Sequence, residues 1–276
     1  MYSHSGQNAN GSAEYHHGGR PQEGVAVKTI RMEEMNWPDV RAAVVAGFTT
    51  AVVAVGSTEQ HGAHLPTMTD ARIGDAVAHR IAQKLGNALQ ARTIPIGVSD
   101  HHLAFGATIS LQPETLRLIV RDYVDSLVRD GFRRIILLPF HGGNFLPVAQ
   151  AIEDASSAHP DIDVTAYTDL LGLVGFLAEA SAVFGISEEE SGAHAGESET
   201  SLMMALEPAL VDRDRLAPGY VGPMGEKEVV VVLEEGMPAL TENGVIGDPR
   251  KASAEKGKVY LERLADFLVA EIPARR

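Results

Sequence analysis

Between residues 54 and 76 the chain reads AVGSTEQHGAHLPTMTDARIGDA, and four side chains in it can bind a metal or carry a proton: Glu59, His61, His64 and Asp70. A second group, Asp100, His101 and His102, stands in VSDHHL; a third, His141, opens HGGN; a fourth, SGAHAGESETSLMMAL (191–206), holds His194, Glu197 and Glu199. Carboxylate and imidazole without thiolate is the ligand set of Zn²⁺, Mn²⁺ or Fe²⁺ at a catalytic centre, not of a structural zinc. A carboxylate can bridge two ions. A pair of ions about 3.5–4 Å apart needs about five protein ligands and holds a hydroxide between them. Candidates exist for all five places, the fifth ligand being a carboxylate in 191–206.

Each residue also has a plainer reading. Asp70 suits a helix N-cap. Glu197 and Glu199 suit first-turn carboxylates favoured by the helix dipole. His64, His79 and His159 read as surface or structural histidines, and Gly142 and Gly143 as a turn. The metal reading rests on convergence of separate segments.

The elements that must position these groups alternate. The pattern predicts strands over 49–56, 91–97, 133–140, 163–170 and 228–235, the first a continuous β-branched run of the kind buried on both faces. Helical spacing covers 70–86, 112–132, 145–160, 172–184, 196–206 and 251–272. Such alternation implies an α/β fold with a mainly parallel sheet and helices on both faces. Ligands bind outside the carboxyl ends of such strands. Glu59 and His61 follow the first strand, His102 the second and His141 the third. In extended chain, residues i and i+2 share a side, so Glu59 and His61 can face one cavity. Residues 1–28, rich in Gly, Ser, Asn and His, read as a disordered tail, which leaves 29–276 as one domain.

Composition excludes several roles. A formal charge of −14 repels nucleic-acid phosphates and anionic lipid. The absence of cysteine removes disulfides and thiol nucleophiles and fits a cytoplasmic location. No run reaches the roughly 18 apolar residues of a membrane helix.

Taken together, GSTEQHGAHLPTMTD, FHGGN, GAHAGESETS and GVIGDPRKASAEKG resemble the creatininase family of metal-dependent amidohydrolases, from about residue 35 to 270. The resemblance implies a three-layer α/β/α sandwich, two divalent ions and a homohexamer, with zinc the first choice of ion and manganese or iron(II) the alternatives. It implies Glu59, His61, Asp70 and His141 as metal ligands, with Asp70 as the bridge. Creatininase itself has a glutamate where this chain has Gly143. The HGGN pattern goes with a later glutamate, so Glu197 is the expected fifth ligand. His194 matches the catalytic histidine. Ala63 and the run Phe105-Gly106-Ala107-Thr108 depart from the family pattern, and the single tryptophan, Trp37, is far from any lid segment. Creatinine is therefore not the leading substrate.

The expected reaction is hydrolysis of a non-peptide carbon–nitrogen bond in a small cyclic amide, lactam or formamide. The ions would activate a bridging water and polarise the carbonyl. His194 would carry a proton to the leaving nitrogen. Glu199 would orient a ligand or serve as a helix-start carboxylate. Asp100 and His102 would line the pocket, Gly142 and Gly143 would let backbone approach the substrate, and Asn144 would hold that turn or bind substrate. The rivals are a modified peptide or sugar-derived ring, a two-metal phosphoesterase, and a metal-dependent scaffold. Residues 170–191 supply an apolar helix and an acidic loop, readable as a lid or an interface.

Overall fold

A computed structural model describes residues 27–272; the expected tail lies almost wholly outside them. The elements, in order, are α1 (Trp37–Val45), β1 (Thr50–Val55), α2 (Thr69–Leu85), β2 (Ala88–Gln90), α3 (Pro113–Arg129), β3 (Arg134–Pro139), α4 (Phe145–Ala158) and β4 (Asp163–Ala166). They continue with α5 (Leu170–Ala182), α6 (Glu188–Ser191), α7 (Glu197–Leu206), α8 (Glu226–Glu235) and α9 (Ala254–Glu271). The strands form one parallel sheet in the order β2-β1-β3-β4.

Every residue of β1 is buried, because both faces of the sheet are covered. Alternate side chains feed two cores. Val52 and Ala54 of β1, with Ile136 and Leu138 of β3, pack on one side with α2, α7 and α9. Ala51, Val53, Val55, Ile135 and Leu137 pack on the other with α3 and α4. The expected α/β/α layering is present. No described helix is long and apolar enough to cross a membrane.

Two predicted strands are different. Residues 91–97 carry only isolated bridges, Val55 to Ile94 and Gly97 to Ser110; the strand ends at Gln90. Pro95 has no N–H to continue a ladder. Residues 228–235 form α8, not a strand. The carboxylate of Glu228 accepts from the Gly225 N–H at 3.2 Å and so caps the helix start. Of the valine run only Val232 is buried, so its β propensity meets no sheet to join.

The sheet's carboxyl end is shaped by close packing. A Cβ on Gly56 would lie 2.5 Å from the Ala71 Cα, so the end of β1 lies against the first turn of α2 and brings Asp70 back beside Glu59.

Candidate metal centre

The buried cluster forms where β1 and β3 end. Glu59, His61, Asp70, His102, His141 and His194 are all under a tenth exposed. Asp70 is not a cap: Met68 holds that position, and the Asp70 carboxylate turns to the cluster. Its Oδ1 is 3.0 Å from His61 Nε2, and its Oδ2 is 3.2 Å from His141 Nδ1 and accepts from Ser57 at 2.8 Å. One oxygen therefore faces each histidine. Glu59 Oε1 lies 3.0 Å from His141 Nδ1 and 3.3 Å from His102 Nε2, yet neither Glu59 oxygen has a hydrogen-bond partner. Such an orphaned, buried carboxylate needs a partner.

The histidines are oriented by backbone. His61 Nδ1 donates to Glu59 O at 3.2 Å, His141 Nε2 to Val98 O at 2.8 Å and His194 Nε2 to Gln60 O at 2.9 Å. Carbonyl oxygen only accepts, so these contacts place the proton and leave the other ring nitrogen toward the carboxylates. This is how metal-binding imidazoles are usually held. His102 is arranged otherwise. Gln60 Oε1 accepts from Gly62 N at 2.9 Å, which sets its amide so that Nε2 donates to His102 Nδ1 at 2.9 Å. The His102 N–H is then on Nε2, facing Glu59.

Electrostatics agree with a demand for cations. Burial pulls the His61 imidazole down, but Asp70, with Glu199 and Glu59 behind it, overrides burial and pushes it up to about 9. Burial opposes a charged His141 as well, and Glu59 and Asp70 raise it well above its usual value. Burial would raise Asp70, yet His61 and His141 hold it well below the carboxylate range. His194 goes the other way: burial and the neighbouring His61 charge keep it neutral at pH 7. Burial, with Asp70 and Glu59 adding to it against His61, lifts Glu199 to about 7.

The start of α7 corrects one expectation. Glu197 is not at the cluster. Its buried carboxylate accepts from Ser201 at 2.8 Å and Tyr260 at 3.1 Å and lies 3.3 Å from Lys256 Nζ. Glu199 is there instead, with Oε2 3.8 Å from His61 Nε2 and accepting from Ala195 N at 2.6 Å. Ala195 holds φ +52, a left-handed conformation unusual for alanine, between His194 and this helix. Four groupings of side chains could hold an ion among the described residues, and they include Glu59, His61 and Asp70 together and His61, His194 and Glu199 together.

The expected substrate contacts divide. His102 and Gly142 border clefts that open from the cluster, as does His101, which is stacked on His141 at 5.2 Å. Asp100 is exposed, its nearest partner being Gln112 at 3.5 Å. Asn144 is fully buried and structural: it accepts from Val98 N and donates to Val55 O and Gly56 O, tying the strand ends together. Gly143 is required by packing, since a Cβ there would meet Val98 O at 2.0 Å. His64 bonds Thr200 at 2.9 Å and serves structure. Gln60, Ser57 and Ser99, which lies 3.2 Å from His141 Nε2, were not singled out by sequence. Only Gln60 offered a signal, as a polar residue between two ligand-type neighbours.

The family model described as creatinine amidohydrolase matches residues 33–272. A mycofactocin precursor peptide peptidase of Mycobacterium ulcerans is 31% identical over 80% of this chain and 83% of its own length. Creatinine amidohydrolase of Pseudomonas putida is 29% identical over 89% of this chain and 98% of its own. A solved zinc–zinc form of a creatininase variant superposes with a TM-score of 0.75 at 29% identity, covering 88% of this chain and 97% of that one. On its motifs, fold and these matches, the chain belongs to the creatininase family of hydrolases that act on carbon–nitrogen bonds.

Proposed function

We propose that this chain is a dinuclear metal-dependent amidohydrolase that cleaves a carbon–nitrogen bond in an uncharged cyclic amide, lactam or formamide. The reading is carried by one observation: three histidines give one N–H each to backbone and turn the other ring nitrogen on buried carboxylates, one of them the unpartnered Glu59. Glu59, His61, Asp70, His141 and Glu199 would hold the ions. When bound, such ions polarise a carbonyl and lower the pKa of water.

The chain's own groups do the rest. His194, neutral and fixed by its Nε2–H to Gln60 O, accepts a proton at Nδ1 and passes it to the leaving nitrogen. The exposed edge of Gly142 lets substrate approach backbone beside His141. His102 stands beside the same carboxylate, its Nε2 3.3 Å from Glu59 Oε1, at the edge of the second cleft.

A phosphoester substrate fits less well, because no Lys or Arg borders either cleft to clamp a phosphoryl group. A modified peptide is the second reading; the 31% identical relative is named for a precursor peptide.

The test is elemental analysis of chelator-stripped protein reloaded with zinc or manganese, with turnover of small amides measured alongside. Two ions per chain and metal-dependent turnover are expected, both lost in Glu59→Gln. Full activity of Glu59→Gln in chelating buffer overturns the reading.

A further inference from the structure

Two clefts leave the cluster and share a rim of His141, Gly142, Ala193 and His194 with Leu170 and Val174 of α5. Leu170 and Val174 are four residues apart on one helix, so they stand on one face as a common ridge. Beyond the rim the walls differ. One cleft is walled by Ile73, Phe145, Leu173, Leu177 and Leu202, with Asp70 and Glu199 at its polar end. The other is walled by Leu171, Met224, Val229, Leu233 and Met237, with His101 and His102 at its polar end.

Both walls are apolar and unfinished. Leu171, Val174 and Leu177 are only half-buried and Leu233 is 47% exposed, so they keep apolar surface that a ligand could cover. The apolar run of α5 and two valines of α8, Val229 and Val232, are accounted for as these walls. The charged side chains present are acidic or imidazole, and neither cleft has a lysine or arginine along its walls to receive a carboxylate or phosphate at the far end of a substrate. A narrow polar substrate would leave both walls uncovered.

We propose, resting on the metal-dependent amidohydrolase reading above but replacing its ring amide and formamide with an open-chain one, that the substrate is a neutral amide bearing an apolar group on each side of its C–N bond. One group sits in each cleft, and the amide lies across the rim at His141, Gly142 and His194. Leu177 and Leu233 are then specificity residues for opposite ends of the substrate.

Calorimetry on the full, zinc-loaded chain tests this with ketone analogues in which CH₂ replaces the amide NH, so that nothing is hydrolysed. The parent probe carries an isobutyl group on the carbonyl and an isopentyl group on the other side. Further probes cut either group to methyl or end one in a carboxylate. Each truncation is expected to weaken binding at least about tenfold, and the carboxylate to weaken it further. Leu233→Asp should erase the gain from one apolar group only, and Leu177→Asp the gain from the other. Should Leu177→Asp melt early, the probe series on the unaltered chain still decides. Equal affinity across the series, or unchanged affinity for the carboxylate, overturns the proposal. Metal content of the same samples separates the two readings. Two bound ions with a flat series sink the cleft assignment alone; a steep series without bound ions sinks the metal reading alone.

Discussion

Two stretches of this chain set a pair of polar residues two positions apart, and the outcomes are opposite. After β1, Glu59 and His61 both reach the cluster. At the start of α7, Glu199 reaches it and Glu197 faces away to Ser201, Tyr260 and Lys256. The difference is backbone geometry. The segment after β1 is not helical; Thr58 bridges Ile109 in strand fashion, and residues two apart can share a side. In a helix each residue turns about 100°, so two residues apart means nearly opposite faces. Identical spacing thus makes two candidate ligands in one place, and one candidate ligand plus one buried anchor in the other.

That contrast can be broken by substitution. Glu59→Gln should cost at least about 100-fold in metal affinity, with turnover lost in parallel, because the carboxylate has no hydrogen bond to fall back on. Elemental analysis after dialysis and a turnover assay check it; retention of both would remove Glu59 from the centre. His194→Gln should keep its metal and lose about 10²–10⁴-fold in kcat. Unchanged kcat would take the proton-carrying role from His194.

The α7 pair sharpens the comparison most directly. Glu199→Gln is expected to lower metal occupancy with little change in melting temperature. Glu197→Ala should do the reverse, keeping metal while costing about 3 kcal/mol of stability, since Lys256 and Tyr260 lose a buried partner. If Glu197→Ala instead lost metal and kept its stability, the assignment by helix face would be wrong.

The cluster also predicts a pH response in metal-free protein. The His61 value is raised from 6.5 to about 9 in the folded chain, so its contribution is complete below about 6.5 and disappears as pH rises through about 9. The shift corresponds to about 3 kcal/mol. Thermal melts of stripped protein should therefore fall between pH 7 and 10, and zinc loading should flatten the trend, because ions replace the protons. A flat profile without metal would contradict the buried His61–Asp70 pairing. The smallest effect is expected at Asp100→Ala, with kcat/KM within about twofold, as its carboxylate is in solvent. A tenfold loss would return Asp100 to the substrate site.

Much of the architecture was legible. Strands buried on both faces read as apolar runs, and α2, α3 and α9 showed helical spacing with recognisable stops such as Gly86 at φ +74. The valine-rich 228–235 misled because β propensity is a packing preference, and this segment has no strand to pack beside. Residues 91–97 misled for a related reason, since a proline-containing extended segment can touch the sheet without joining its ladder.

For the site, residue type and position marked Glu59, His61, Asp70 and His141 as candidates among several at the end of the sheet where ligands collect, and the family resemblance picked out those four. Local order could not decide between Glu197 and Glu199. That choice depends on which face of α7 packs on α9, and Tyr260 and Lys256, more than fifty residues away, claim the first carboxylate. Nor could it demote Asn144, whose three bonds join segments distant in the chain. Chemistry was written in the kinds of side chain present; which of them gather at the cluster and which turn away as structural anchors came from contacts that exist only once the helices have docked.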